Sequence, residues 1–358
     1  MSEQRVLLKT NDFPIRHEGD IHDGKVRSVY WLPIPDSRRL IETRGYDVDP
    51  NSQLGAMLIS DRISAFDVNW GGIPGKGAVL NGISNHWFDR FDEEGLAGNH
   101  VLDVPHPLVW IVQRADPIMV EGVVRQYITG SMWRSYSKGE REFCGIHLPG
   151  DLQQHQRLDE LLFTPTTKGT IIGVPGIKEE EDAKLSMDLV LRNYGELGFR
   201  SEEDVGLYER LLREGFSLIY RDLQDVGELF VDTKFELGYV RGSDGTQRII
   251  YIDEIGTPDS SRMWNAKAYE KGGIVENSKE GFRQSLLGTL DRDILLNGDR
   301  MGERRELATG YTVPEQQVME VSGTYRGIAE KIIGHPLTVP ERPREEITDA
   351  LSDYGIVE

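Results

Sequence analysis

Alternation of apolar and polar side chains is clearest in LFVDTKFELGYV, Leu229 to Val240. Successive strand side chains point to opposite faces, so Asp232, Lys234 and Glu236 share one face and Thr233, Phe235 and Leu237 the other. A second strand is predicted over Arg248–Ile255, and the Asp-Gly pair in RGSDGTQ between them predicts a β-hairpin turning near Ser243–Asp244. Upstream, Ser201-Glu-Glu-Asp204 resembles a capping box. Val205, Tyr208, Leu211, Leu212, Phe216, Ile219 and Tyr220 then recur at helical spacing, which predicts an amphipathic helix running to about Leu223. The first third reads as short β-branched runs (KVRSVYWLPI, AMLISDRISAF, PLVWIVQRA) cut by Gly, Pro, Asn and Asp turns, with weak helix signals. From about Ser278 the pattern is helical again, with proline-rich breaks.

Composition narrows the class. A chain of 358 residues, 38% hydrophobic, can bury a core large enough for two lobes. Its 60 acidic against 41 basic residues give a net charge of −19, which disfavours a generic nucleic-acid or anionic-membrane surface. Any anion it binds needs a local basic pocket. A single cysteine, Cys144, excludes an intramolecular disulfide, and no Cys/His cluster has zinc-site spacing. The expectation is a soluble cytoplasmic protein without a secretory leader or membrane-spanning run. PGIKEEEDAKLSMD is acidic and expected to be a solvated surface insertion.

Four stretches carry candidate chemistry. With the hairpin turning near Ser243–Asp244, Asp253 is expected opposite Lys234 with Glu236 diagonal to it. Asp232, Lys234, Glu236 and Asp253 then share a face, either as a solvated, salt-bridged hairpin or around a cation such as magnesium. In HDGKVRSVY, Gly24 permits a tight turn, and Lys25 and Arg27 fall on one face of the next strand, within reach of nucleotide phosphates. GGIPGKGA, by contrast, lacks Walker A spacing and the hydroxyl residue that motif requires. The apolar strand in PIMVEGVVRQYITGSMWR delivers Glu121 and Arg125 and ends at Thr129-Gly130-Ser131, a turn suited to an anion. IDEIGTPDSSRMW places Pro258-Asp259-Ser260-Ser261-Arg262 just after Asp253, polar turn chemistry of the kind active-site loops use.

Taken together, GKVRSVY, SDRISAFD, VEGVVRQYITGS, TPTTKG, VDTKFELG and DEIGTPDSSRMW resemble, in order and approximate spacing, the phosphoribosylaminoimidazole-succinocarboxamide synthase (SAICAR synthetase) family, in its long bacterial form. The resemblance runs from about Asp20 to Trp264. It implies a two-lobed α+β fold: a kinase-like N-terminal antiparallel sheet lobe, residues 1–115, and a larger ATP-grasp-like lobe with a helical C-terminal extension, residues 116–358. The implied reaction joins L-aspartate to the carboxylate of CAIR with ATP cleavage to ADP and phosphate, by way of an acyl phosphate.

By the same resemblance, Gly24, Lys25 and Arg27 contact ATP phosphates, and the backbone at Arg114–Ala115 holds adenine at an interlobe hinge. Glu236 and Asp253 match magnesium carboxylates. Arg125, Ser131 and Arg262 match positions that hold the phosphate and carboxylate of CAIR, Asp61 a substrate-pocket aspartate, and Lys168 a candidate on the aspartate side. Lys234, with Asp232, is assigned to catalysis between nucleotide and acceptor. After TPTTKG many members continue with a His-Asp-Glu-Asn-like run, where this chain reads TIIGVPGIKEEEDAKLS. CAIR and L-aspartate are the implied small-molecule partners, with no nucleic acid or membrane; a homo-oligomer is left open. The rival reading is a small-molecule kinase on the same scaffold.

Overall fold

Two antiparallel sheets, of five and seven strands, organise the chain. The structure, a computed structural model, describes residues 5–358. Its first part runs β1 (His22–Asp23), β2 (Arg27–Trp31), α1 (Ile34–Arg44), β3 (Leu54–Ile59), β4 (Arg62–Ala65), β5 (Val68–Gly72), α2 (Lys76–Glu93), β6 (Val101–His106) and β7 (Val109–Gln113). The five-stranded sheet has the order β1-β2-β3-β7-β6, with β4 and β5 forming a separate ribbon. The expectation of weak helix content here needs correction, because α2 alone spans 18 residues. Val79, Leu80, Ile83, Trp87, Phe88 and Phe91 do recur at helical spacing and are buried. What masked the helix is its glycine-rich entry. Gly75 opens it in the left-handed region (φ 78°), and a Cβ on Gly77 would lie 2.8 Å from Leu108 Cδ2. Burial, rather than local propensity, stabilises this helix.

The chain crosses to the second sheet through Arg114–Ala115. There follow β8 (Asp116–Pro117), β9 (Val120–Tyr127), α3 (Gly130–Ser137), β10 (Glu142–Phe143), β11 (Ile146–His147), β12 (Arg157–Phe163), β13 (Thr166–Thr167), α4 (Met187–Arg192), α5 (Glu202–Asp225), β14 (Glu228–Arg241), β15 (Gln247–Ile252), β16 (Ser261–Asn265) and α6 (Ala266–Glu270). The sheet order is β12-β9-β14-β15, with β13 on β9 and with β8 and β16 on β14. As expected, Ser201 caps α5, its Oγ accepting the Asp204 N–H at 3.2 Å. The helix lies on one face of the sheet so closely that a Cβ on Gly122 would come within 2.1 Å of Leu212 Cδ1. Strand β14 is central and largely buried, which excludes the reading of its charges as a solvated edge. The acidic insertion is exposed from Lys178 to Asp182, as its charge predicts.

The helical tail comprises α7 (Lys279–Thr289), α8 (Arg292–Leu296), α9 (Met301–Gly310), α10 (Glu315–Ile333) and α11 (Pro343–Ser352). Helix α10 packs on α2. The last residues return to the first part of the chain, where Val357 forms an isolated bridge with Ile15 and the Tyr354 hydroxyl donates to Asp103 of β6 at 2.7 Å. Helix α2 also joins the two sheets: Phe88 packs on Trp110 of β7 and Phe91 on Tyr251 of β15, with ring centroids 6.2 and 4.8 Å apart. One hydrophobic core therefore runs through both.

Candidate active site

The sheet face opposite α5 collects the charged residues of β9 and β14. Because Asp232 pairs with Arg125 and Lys234 with Val123, the alternation places Glu121, Arg125, Asp232, Lys234 and Glu236 on that face, while Gly122 and Phe235 pack against the core. At one end, Asp232 Oδ2 accepts Nη1 of both Arg125 and Arg262, each at 2.7 Å. Arg125 also donates to Thr164 Oγ1 at 3.0 Å and reaches Ser131 Oγ at 3.4 Å. Arg262 pairs with Glu280 at 3.2 Å and lies against the first turn of α3, where a Cβ on Gly130 would be 2.6 Å from its Nη2. Burial pulls the Arg125 guanidinium below its ordinary value despite Asp232. For Arg262, burial acts in the same direction, but Asp232 and Glu280 outweigh it and hold the group above its usual range. Both remain cations.

At the other end, Lys234 Nζ lies 2.7 Å from Glu121 and 2.6 Å from Glu236, and Lys168 forms an ion pair with Glu236. Burial opposes the Lys234 charge, yet Glu121 and Asp253 raise its pKa. Lys168 is pulled down, chiefly by burial. Asp253 was expected opposite Lys234; the observed register pairs Glu236 with Ile252, so Asp253 lies just beyond the paired segment. It leaves the strand with φ 60°, a conformation aspartate tolerates. This turns it toward Arg27, 2.9 Å away, whose other nitrogen meets Glu254 at 3.2 Å. Burial opposes the Asp253 charge, but Arg27, Lys234 and Lys168 keep its pKa below the usual carboxylate range.

Glu236 and Asp253 thus present hard oxygen donors on neighbouring chain segments, a set that suits magnesium. Among the described residues no three His, Cys, Asp or Glu side chains are placed to hold a metal. An ion at this pair would need water or substrate oxygens to complete its shell.

The remaining expectations divide. Lys25 and Arg27 do not act side by side: Lys25 is exposed and paired with Asp67 at 2.7 Å, whereas Arg27 is buried against the carboxylates just described. Gly24 makes the expected turn, its N–H bonding the Arg27 carbonyl at 2.7 Å. Arg114 is exposed at the crossover, its backbone bonded to Gln53 and its guanidinium 5.0 Å from the Trp31 ring centroid. Ala115 is half-buried beside it. Asp61 is not brought to the charged face. It is 2% exposed, and its two oxygens accept the Leu7 and Gly77 amides at 2.9 Å each, so it anchors the start of α2. Burial raises its pKa to about 6 despite those bonds.

Glu254 and Glu280 were missed as partners. Glu254 adjoins Asp253 in sequence and was open to notice, but Glu280 sits in a helix that only folding brings to Arg262.

The chain is similar to known proteins over most of its length. A sequence model described as SAICAR synthetase matches residues 20–292. The phosphoribosylaminoimidazole-succinocarboxamide synthase of Psychromonas ingrahamii is 53% identical over 362 residues, covering 99% of each chain. That of Shewanella baltica is 55% identical over 360 residues, covering 98% of each. Among solved structures, the SAICAR synthase of Saccharomyces cerevisiae complexed with SAICAR superposes with a TM-score of 0.64 at 25% identity, covering 91% of this chain and 99% of that one. A SAICAR synthetase in complex with ADP shares the fold, with a TM-score of 0.58 at 19% identity, covering 89% and 100%.

Proposed function

The chain belongs to the SAICAR synthetase family, and from this we infer that it ligates L-aspartate to CAIR in purine biosynthesis. We propose that it does so with ATP and Mg2+ on the charged face of β9 and β14. The observation that carries this reading is the pair of guanidiniums, Arg125 and Arg262, converging on Asp232 beside Lys234. Two fixed cations suit a ligand with a phosphate and a carboxylate.

A carboxylate is a poor electrophile, so amide formation needs a leaving group. Transfer of the ATP γ-phosphoryl to a CAIR carboxylate oxygen releases ADP and forms an acyl phosphate. The aspartate amine then attacks the carbonyl carbon, the C–O bond to phosphate breaks, and the amine loses a proton. Arg125, Ser131 and Arg262 hold the anionic groups of CAIR. Asp232 positions both guanidiniums, and Lys234 lies where charge develops on the transferred group. Such transfer depends on positioning and charge stabilisation. Magnesium would be held by Glu236 and Asp253, where it would supply positive charge to offset the negative charge of the phosphates. Arg27 fixes Asp253 from below, a positioning role in place of direct phosphate contact, while Lys25 remains free to swing from Asp67 to phosphate. Residues 1–115 form the nucleotide lobe, with adenine at Arg114–Ala115, and residues 116–358 the substrate lobe. Lys168, paired with Glu236, borders the aspartate side.

ADP release measured with CAIR alone, aspartate alone and both tests the proposal. Sustained turnover only with both substrates, giving SAICAR, is the expected result. Turnover on one acceptor that leaves it phosphorylated would establish a kinase instead.

A further inference from the structure

A second charged cluster lies at the loop that precedes Arg262 and is not used by the chemistry above. Its centre is Asp259, whose side chain is 2% exposed, in the loop between β15 and β16. Asp259 Oδ2 lies 2.9 Å from Lys76 Nζ of α2 and 3.2 Å from Lys279 Nζ of α7. Its Oδ1 accepts the Tyr325 hydroxyl of α10 at 2.6 Å. All three partners are buried, Lys76 completely. Burial opposes the Asp259 charge, but Lys279 and Lys76 hold its pKa well below the usual range. Two ammoniums thus share one carboxylate oxygen, and among the described residues only the tyrosine hydroxyl bonds the other.

The backbone that carries this carboxylate runs on into residues bonded to the charged face. The Thr257 hydroxyl accepts the Asp259 and Ser260 amides at 3.3 Å each, closing the turn. The Ser260 carbonyl accepts the Lys234 N–H at 3.2 Å, and the Ser261 and Thr233 hydroxyls meet at 2.8 Å. Arg262 follows and reaches Asp232. Asp259 is thus three peptide units from the Arg262 guanidinium proposed to hold CAIR, so a displacement of its side chain is carried along this short bonded segment. Tyr325 lies in the helical tail, outside residues 20–292. Its helix is braced on the first lobe, where Ser322 Oγ donates to the Pro74 carbonyl at 2.8 Å.

We propose that Tyr325 is a positioning residue for the CAIR site, and that through its bond to Asp259 the C-terminal extension sets the placement of Arg262. The inference rests on the CAIR-site reading given above. A purely structural role would make the Tyr325–Asp259 bond one of several that fasten the tail. Tyr354–Asp103 is another of these, and it touches no residue of the charged face.

That contrast supplies the test. Tyr325→Phe keeps the buried ring and removes only the hydroxyl, and Tyr354→Phe does the same at the control position. Thermal melting and steady-state kinetics are measured for both and for the wild type. For Tyr325→Phe the expected result is a CAIR KM raised about tenfold, with ATP KM and kcat within about twofold of wild type, since uniform binding is lost rather than transition-state stabilisation alone. Tyr354→Phe should lower the melting temperature and leave the CAIR KM unchanged. Because the tyrosine acts through Asp259, Asp259→Asn should raise the CAIR KM, and adding Tyr325→Phe to it should produce little further change. An unchanged CAIR KM in Tyr325→Phe, equal KM effects from both tyrosines, or independent multiplication with Asp259→Asn overturns the proposal. A wild type that makes SAICAR while Tyr325→Phe behaves identically sinks this inference alone; a wild type that makes none overturns the functional reading as well.

Discussion

Asp232→Asn isolates the charge that holds the two guanidiniums. Asparagine matches the volume and keeps one acceptor oxygen, but the 4% exposed site loses its anion while Arg125 and Arg262 stay in place. A hydrogen bond to a charged partner contributes about 1.5–3 kcal/mol and a neutral one about 0.5–1.5 kcal/mol, so weakening two of them costs about 2–3 kcal/mol. Uncompensated buried charge raises the expected loss to about 3–5 kcal/mol. Arg262 retains Glu280, whereas Arg125 has no other carboxylate among the described residues, so most of the loss falls on Arg125. Urea unfolding should show a lower midpoint with an unchanged slope. Saturating CAIR should recover more stability in the variant than in wild type, because its anionic groups replace the missing charge. A loss below about 1 kcal/mol, or equal stabilisation of both proteins by CAIR, would refute the assignment of Asp232 as the counter-charge of this pair.

Three further outcomes follow from the same geometry. Arg125→Ala should weaken CAIR binding by about 2–5 kcal/mol in calorimetry and leave ATP binding nearly unchanged; unaltered CAIR affinity would show that the arginine serves only the sheet. Glu236→Gln and Asp253→Asn should each raise the magnesium concentration needed for activity, and the double variant should lose less than the product of the single losses. Normal magnesium dependence in both would leave these carboxylates as ion-pair partners alone. Glu276 is half-buried beside Glu280, and burial raises its pKa from 4.5 to about 7 although Ser278, Arg262 and Trp264 favour its charge. The folded state therefore binds this proton more tightly than the unfolded one, so the contribution is full below about pH 4.5 and is lost as pH rises through about 7, at most roughly 3 kcal/mol. Glu276→Gln should flatten that part of the stability profile, and identical profiles for the two proteins would count against the shift.

Local pattern determined much of this protein. The α5 helix is set by its serine cap and 3.6-residue period, and the hairpin by alternation and an Asp-Gly turn. The shared face of Asp232, Lys234 and Glu236 follows from the two-residue period of a strand. Six ordered motifs were enough to reach the family. Partners across space were a different matter. Whether β14 is an edge or a centre depends on which strands flank it, and its own alternation is the same in both cases. The position of Asp253 depended on register and on a single left-handed residue, since a strand's period sets which way a side chain points but not where pairing ends. Asp61 lies in a site motif, yet both its oxygens went to backbone amides at a helix start, because a buried carboxylate must be satisfied by whatever donors the fold brings. Tyr325 and Asp259 are separated by 66 residues, and neither carries a local signal of the other. Their contact exists only because α10 packs on α2, so tertiary packing alone decided that the tail reaches the loop that precedes Arg262.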